Sequence, residues 1–277
     1  MTQTIPFFKL ILIMGLIFNL FSCSSRSAKK LQQADIYFGA GTQSLMNQDY
    51  TDALTNLLKA NELNPDHSGI LNNLAMAYYF KGERDLAVAT LNKSLKIDAS
   101  NSDAKVNLAS IYFNDGNYSK AESIYKNVLR DLTYEKQPRT YYNLGLLELR
   151  KNNQKEALAY FNKSVKEDPN YCPSLYQIGL FYYNQKQFSS AYKSFKEAVM
   201  GTCFETPAPH YHQALSLIGL KRFNEARVKL NEVDTRFGNT EFGQKARKKL
   251  SEIEQIEQTN MSENFHASRK MMESPDF

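Results

Sequence analysis

Histidine and cysteine carry most of the chemical range available to this chain, and both are scarce: His67, His210, His212 and His266, with Cys23, Cys172 and Cys203. None falls in a C-x-x-C or H-E-x-x-H spacing, so no zinc site is expected. His210 and His212 form an H-x-H pair, yet residues two apart on a helix diverge by about 200°, which disfavours joint metal ligation. Structural or surface roles suit them better. The sequence has no G-x-S-x-G elbow, no Walker lysine loop and no Gly-rich dinucleotide fingerprint. The reading is a non-enzyme with no catalytic residue, metal or cofactor.

Composition narrows the partners. A net charge of +5 spread along 277 residues without a basic block argues against nucleic acid. Hydrophobic residues at 42% are enough to build a sizeable core, which excludes a wholly disordered chain. Acidic residues scatter along amphipathic segments as solvated faces do, so no small-molecule substrate is expected.

The one long apolar run, Ile5 to Phe21, lies at the N-terminus. Between Lys9 and Asn19 it holds nine apolar-type residues, whereas a spanning helix needs about 20 to cross hydrocarbon about 30 Å thick. A signal-peptide core over residues 1–22 fits better, with an uncleaved signal anchor as the alternative. The following Leu20-Phe21-Ser22-Cys23 resembles a bacterial lipobox, in which the cysteine receives the lipid. Phe21 departs from the usual residue at its position. The resemblance implies a mature chain beginning at Cys23, anchored in a membrane by several acyl chains. Ser24 after the cysteine implies sorting to the outer membrane. Residues 23–33 would then be a polar tether.

Beyond the tether a 34-residue period sets in. Its marks are an aliphatic residue at position 7, small residues at 8, 20 and 27, and a large apolar residue at 24. The copies starting at Ala34 (Gly41, Ala53, Leu57, Ala60), Ser68 (Leu74, Ala75, Ala87, Leu91) and Ser102 (Leu108, Ala109, Ala121, Tyr125) are in register. So are those from Pro138 (Leu144, Gly145, Ala157, Phe161), Cys172 (Ile178, Gly179, Ala191, Phe195) and Pro207 (Ala214, Ala226, Leu230). The last is the most divergent, with Gln213 at position 7. This pattern is similar to the tetratricopeptide repeat. It implies an all-α, tetratricopeptide-repeat superhelix of six helix hairpins over 34–67, 68–101, 102–137, 138–171, 172–206 and 207–240. Gly82, Gly116 and Asn152-Asn153 punctuate the hairpin turns. Phe242, Ala246, Leu250 and Ile253 recur at helical spacing as a capping helix to residue 256, and 257–277 reads as a disordered tail.

Once the repeats are aligned, Cys172 opens the fifth hairpin and Cys203 lies just past its end. In an oxidising compartment the two form an even pair, predicted to be a disulfide, the alternative being two unrelated thiols. Function is expected on the face lined by the first helices. Position 6 there holds Asn73, Asn107, Asn143 and Gln177, with His212 in the sixth copy. A primary amide offers donor and acceptor together, so this ladder could grip the backbone of an extended peptide while facing solvent in the free protein. The alternative is that asparagine there merely suits the fold. Phe38, Tyr142, Tyr176 and Tyr211 at position 5, with Tyr79, Phe113 and Tyr183 at position 12, would add contact area or pack between helices. Arg139 is the only base at positions 2, 5 and 6, which disfavours clamping of a peptide carboxylate.

Lipobox, tether, six repeats and capping helix together resemble the outer-membrane pilotin lipoproteins of type IV pilus systems (PilF/PilW type). The resemblance covers residues 1 to about 256. It implies a periplasm-facing scaffold that binds secretin polypeptide and helps it assemble. An adaptor or regulator of another cell-envelope complex is the alternative.

Overall fold

The computed structural model describes the backbone of residues 7–272, and the regular elements among the described residues are all α-helices. The chain divides into two compact units, Met1–Tyr134 and Glu135–Phe277. Unit 1 holds α1 (Phe7–Met46), α2 (Tyr50–Leu63), α3 (Ser68–Phe80), α4 (Arg84–Ile97), α5 (Ser102–Asn114) and α6 (Tyr118–Val128). Unit 2 holds α7 (Gln137–Arg150), α8 (Gln154–Glu167), α9 (Cys172–Asn184), α10 (Phe188–Met200), α11 (Pro207–Gly219), α12 (Phe223–Phe237) and α13 (Glu241–Met272). Within each unit, consecutive helices pack as hairpins, and each hairpin packs on the next. Local chemistry starts many of these helices. Asp49, Asn101 and Asn117 accept N-cap bonds from Asp52, Ala104 and Lys120, and the His67 Nδ1 caps α3.

A small residue on the first helix of each hairpin sits opposite a large one on the second. Ala75 and Leu91 share one core cluster, and Ala109 and Tyr125 hold the same two repeat positions in the next hairpin, all four buried. Where the large partner is phenylalanine, the small residue is glycine. A Cβ on Gly145 would collide with the Phe161 ring, and one on Gly179 with the Phe195 ring. Ala53, Ala87, Ala121, Ala157, Ala191 and Ala226 at position 20 are all fully buried, so they set how closely the two helices approach.

Every hairpin turn passes through the left-handed region at position 15. Gly82 and Gly116 do so at φ 87° and 77°, and Asn152 at 62°. The other three turns use Gln48, Lys186 and Lys221 at 59–64°, where a Cβ makes the conformation costly. Those three carry no sequence punctuation.

Two segments differ from the sequence reading. Residues 24–33, expected as a tether, continue α1; their side chains are exposed from Ser27 to Gln33 and burial begins at Ala34. The stretch from 257, expected to be disordered, continues α13 to Met272. It holds no glycine or proline, and the Thr259 and Ser262 hydroxyls donate back to the Gln255 and Thr259 carbonyls. Lack of apolar periodicity is not lack of helix propensity. The connection between α6 and α7 is fastened to the start of α5. Ser102 Oγ donates to Asp131 at 2.7 Å and the Tyr134 hydroxyl to Asp103 at 2.8 Å. The signal-peptide and lipidation expectations rest on residues 1–23, whose side chains lie outside the described ones. Among the described residues no helix is long and apolar enough to cross a membrane.

The interlock makes a cycle testable. Gly145→Ala and Phe161→Leu are each expected to destabilise unit 2 by about 1–3 kcal/mol. The double variant recreates the Ala75–Leu91 pairing and is expected to recover at least about 1 kcal/mol of the summed loss in denaturant unfolding. Strict additivity would show that the two side chains do not meet. Ala87→Leu and Ala157→Leu are expected to cost about 1–3 kcal/mol each by overpacking.

Candidate functional site

The first-helix faces of the two units use the same positions differently. In unit 1 the amides are spent on one another. Asn73 Nδ2 donates to Thr42 Oγ1 at 2.8 Å, Asn72 Nδ2 to Asn73 Oδ1 at 3.0 Å, and Asn107 Nδ2 to Asn72 Oδ1 at 2.8 Å. Asn107 is only 6% exposed. The expectation of solvent-facing amides therefore fails here: Asn72 at position 5 supplies the bridging amide, and a buried amide must find such partners. The rings follow suit. Phe38 packs 5.5 Å from His67, Phe113 lies 5.6 Å from Tyr118, and the Tyr79 hydroxyl accepts from Asn114 at 2.7 Å.

In unit 2 the amides are interleaved with tyrosines. Asn143 and Gln177 are half-buried, and the Tyr142 hydroxyl is hydrogen-bonded to Gln177. Burial raises the Tyr142 and Tyr176 hydroxyl pKa values and pushes that of Tyr171 up to about 12, so all three stay neutral. Arg139 lies near enough to Tyr171 to counter part of that shift. Tyr142 packs on Phe161, and Tyr176 on Phe195.

His212 is the hub of this face. Tyr176, Tyr183, Phe195, Tyr211 and Phe242 surround it, with ring centroids 5.5–6.3 Å away. Its Nδ1 lies 2.9 Å from the Ala208 carbonyl, which can only accept, so Nδ1 carries the proton. Burial lowers the pKa, keeps the ring neutral and leaves Nε2 as a lone-pair acceptor. Tyr211 is only 8% exposed and packs on Phe242 of α13, so it serves the cap more than an open face. Phe242 and Phe195 were not expected at this site, because only folding brings α13 and α10 to it.

His210 and His212 diverge as two-residue spacing requires: His210 Nε2 donates to the Phe204 carbonyl at 2.9 Å. Among the described residues no group of three or more His, Cys, Asp or Glu could hold a metal ion. Cys172 and Cys203 are joined as a disulfide with Cα atoms 5.7 Å apart, tying the start of α9 to the loop after α10. The same loop is held by Arg236, which donates to the Phe204 carbonyl at 3.1 Å.

Comparison with known proteins now bears on this geometry. Residues 68–101 and 101–166 each match a family model described as tetratricopeptide repeat, and residues 150–233 match one for subunit 3 of the anaphase-promoting complex. The chain belongs to the tetratricopeptide-repeat family. It is similar to the type IV pilus assembly protein PilF of Pseudomonas aeruginosa, 24% identical over 157 residues, 57% of this chain and 62% of that one. The match thus spans less than two thirds of that relative. A solved PilF structure aligns with TM-score 0.65 at 18% identity over 80% of this chain and 99% of the other. PilW, a type IV pilus biogenesis factor, aligns at 0.63 and 18% over 77% and 98%. These two structural likenesses establish the fold. The photosystem I assembly protein Ycf3 of Rippkaea orientalis is 30% identical over 131 residues, 44% of this tetratricopeptide protein and 73% of Ycf3. PilF and Ycf3 are both named as assembly proteins.

Thiol titration checks the cysteine pair: unfolded, unreduced protein lacking Cys23 is expected to show no free thiol, and two free thiols would contradict the bond. Reduction is expected to cost unit 2 about 3–4 kcal/mol, from the loop it closes. The histidines predict a pH effect. Both folded pKa values lie below the ordinary 6.5, so the unfolded chain binds more protons as pH falls through that value. Their stabilisation is full above about 6.5 and declines below it. Melting temperature is therefore expected to fall between pH 7 and 5.5, and less steeply in His212→Phe; an unchanged slope would contradict the neutral, buried ring.

Proposed function

We propose that this tetratricopeptide-repeat protein is a lipid-anchored, periplasm-facing scaffold of the bacterial outer membrane that binds and helps assemble a type IV pilus secretin. The observation that carries the reading is the joining, in one chain, of a lipobox-like Leu20-Phe21-Ser22-Cys23 to a repeat array related to PilF. Acyl chains on Cys23 would hold the chain at the membrane surface. The first-helix face of unit 2 would then hold a stretch of partner polypeptide. Asn143 and Gln177 are placed to pair with its backbone, the His212 Nε2 to accept from it, and Tyr142, Tyr176 and Tyr183 to supply apolar area. No catalytic role is assigned to any residue.

The likeness to Ycf3 favours one second reading, an adaptor that assembles or regulates another cell-envelope complex through the same face.

Deleting the gene in its host and blotting the secretin for its detergent-resistant multimer separates the two. The scaffold reading expects the multimer to vanish and to return with the wild-type gene but not with Cys23→Ala, whose product is folded and mislocalised. An unaffected multimer would move the protein to the second reading. Cys23→Ala that still fractionates with outer membrane would remove the lipid anchor.

A further inference from the structure

Unit 2 contains a pocket of about 140 Å³ between the hairpin α7–α8 and helix α9, lined by α8 as well as by the first helices α7 and α9, with Gln177 of the amide row at its edge. Its floor is apolar: Leu149, Leu158, Phe161, Leu180 and Phe181. Gln154, Gln177 and Asn184 add amides, and no charged side chain lines it. The next hairpin shows why the space exists. There, position 12 is Tyr183, position 17 is Phe188, and position 6 of the following copy is His212. Tyr183 packs 5.5 Å from Phe188 and 6.3 Å from His212. Phe188 lies so close to Gly219 that a Cβ there would strike its ring. In the hairpin α7–α8 the same three positions hold Leu149, Gln154 and Gln177, and position 13 of the following copy holds Asn184 instead of glycine. In unit 1, Phe113 and Tyr118 repeat the ring pair of positions 12 and 17. The rings of positions 12 and 17 and of position 6 in the following copy are thus replaced by Leu149, Gln154 and Gln177, and the pocket lies among these smaller or ring-free side chains.

We infer that this pocket receives an aromatic side chain, of phenylalanine type, from an extended segment of the partner polypeptide, whose flanking backbone is held by Gln177 and Asn184. This rests on the proposed role of the unit 2 face as a polypeptide groove. The size agrees, because apolar cavities of about 150 Å³ take up benzene. The lining offers no counter-ion to an acidic or basic side chain, which selects against both. The amides supply what a bare cavity lacks, a donor and an acceptor for the peptide group next to the ring.

The test uses the full chain without its signal peptide and the capped tripeptide N-acetyl-Ala-Phe-Ala-amide, with the Asp analogue as control. Binding is followed by NMR of the Leu158 and Leu180 methyl groups. Saturable shifts with a millimolar dissociation constant are expected for the Phe peptide, and binding at least about tenfold weaker for the Asp peptide. Leu149→Tyr with Gln154→Phe transplants the ring pair of the next hairpin and is expected to abolish the shifts while keeping the fold. Gln177→Leu, which preserves volume, is expected to weaken binding about tenfold and serves if the filled variant does not fold. Shifts that do not saturate, that are equal for both peptides, or that survive filling of the pocket would overturn the inference. Tripeptide binding needs no secretin, so the two readings fail separately. Loss of the multimer on gene deletion with no tripeptide binding would sink the pocket alone. Specific binding with an intact multimer would support the pocket and change only the partner.

Discussion

The close approach of two helices within each hairpin is the constraint on which this protein depends. Alanine at position 20 and glycine or alanine at position 8 remove side-chain bulk where the helices meet, and one large residue at position 24 fills what is left. Gly145 with Phe161 and Gly179 with Phe195 show how tight the fit is, since even a methyl group has no room. A single hairpin cannot bury its remaining apolar surface, so it stacks on the next one. That stacking leaves one row of first-helix side chains unneeded for the core, and those side chains are where specificity can be written.

The two units write it differently. In unit 1 the chain Thr42–Asn73–Asn72–Asn107 links side chain to side chain across three first helices, so the amides tie the stack together. In unit 2 bulky tyrosines alternate with the amides, and His212 is fixed in one tautomer within a shell of rings. A neutral, aromatic and amide-rich surface of this kind suits sequence-tolerant contact with polypeptide better than recognition of a charged terminus. Phosphate or carboxylate recognition would call for clustered arginine and lysine, and Arg139 stands alone at the positions that would carry them.

The hairpin register was legible because small and large residues recur at fixed positions over 34 residues, a pattern that packing imposes. Gly82 and Gly116 were legible for the same kind of reason, since a left-handed turn favours glycine. Gln48, Lys186 and Lys221 occupy equivalent turns with no such mark; only the register at position 15 could have pointed to them. The pairing of Asn107 with Asn72 was hidden because it depends on a residue in the neighbouring hairpin at a position read as aromatic. Tyr211 and His212 were placed on the right helix, but both also pack against Phe242, and no spacing rule links α11 to α13. Helicity beyond residue 257 was hidden because apolar periodicity reports burial and not helix propensity.

Site-specific photocrosslinking in the native host tests the central claim, that partners are held on the first-helix face of unit 2. p-Benzoylphenylalanine would replace Asn143, Tyr183, Tyr79 or Lys163 one at a time in the full chain, and adducts would be blotted for the secretin. The account predicts the same adduct from Asn143 and Tyr183 and none from Tyr79 in unit 1 or Lys163 on the second helix of its hairpin. Adducts from Tyr79 or Lys163, with none from Asn143 and Tyr183, would contradict it.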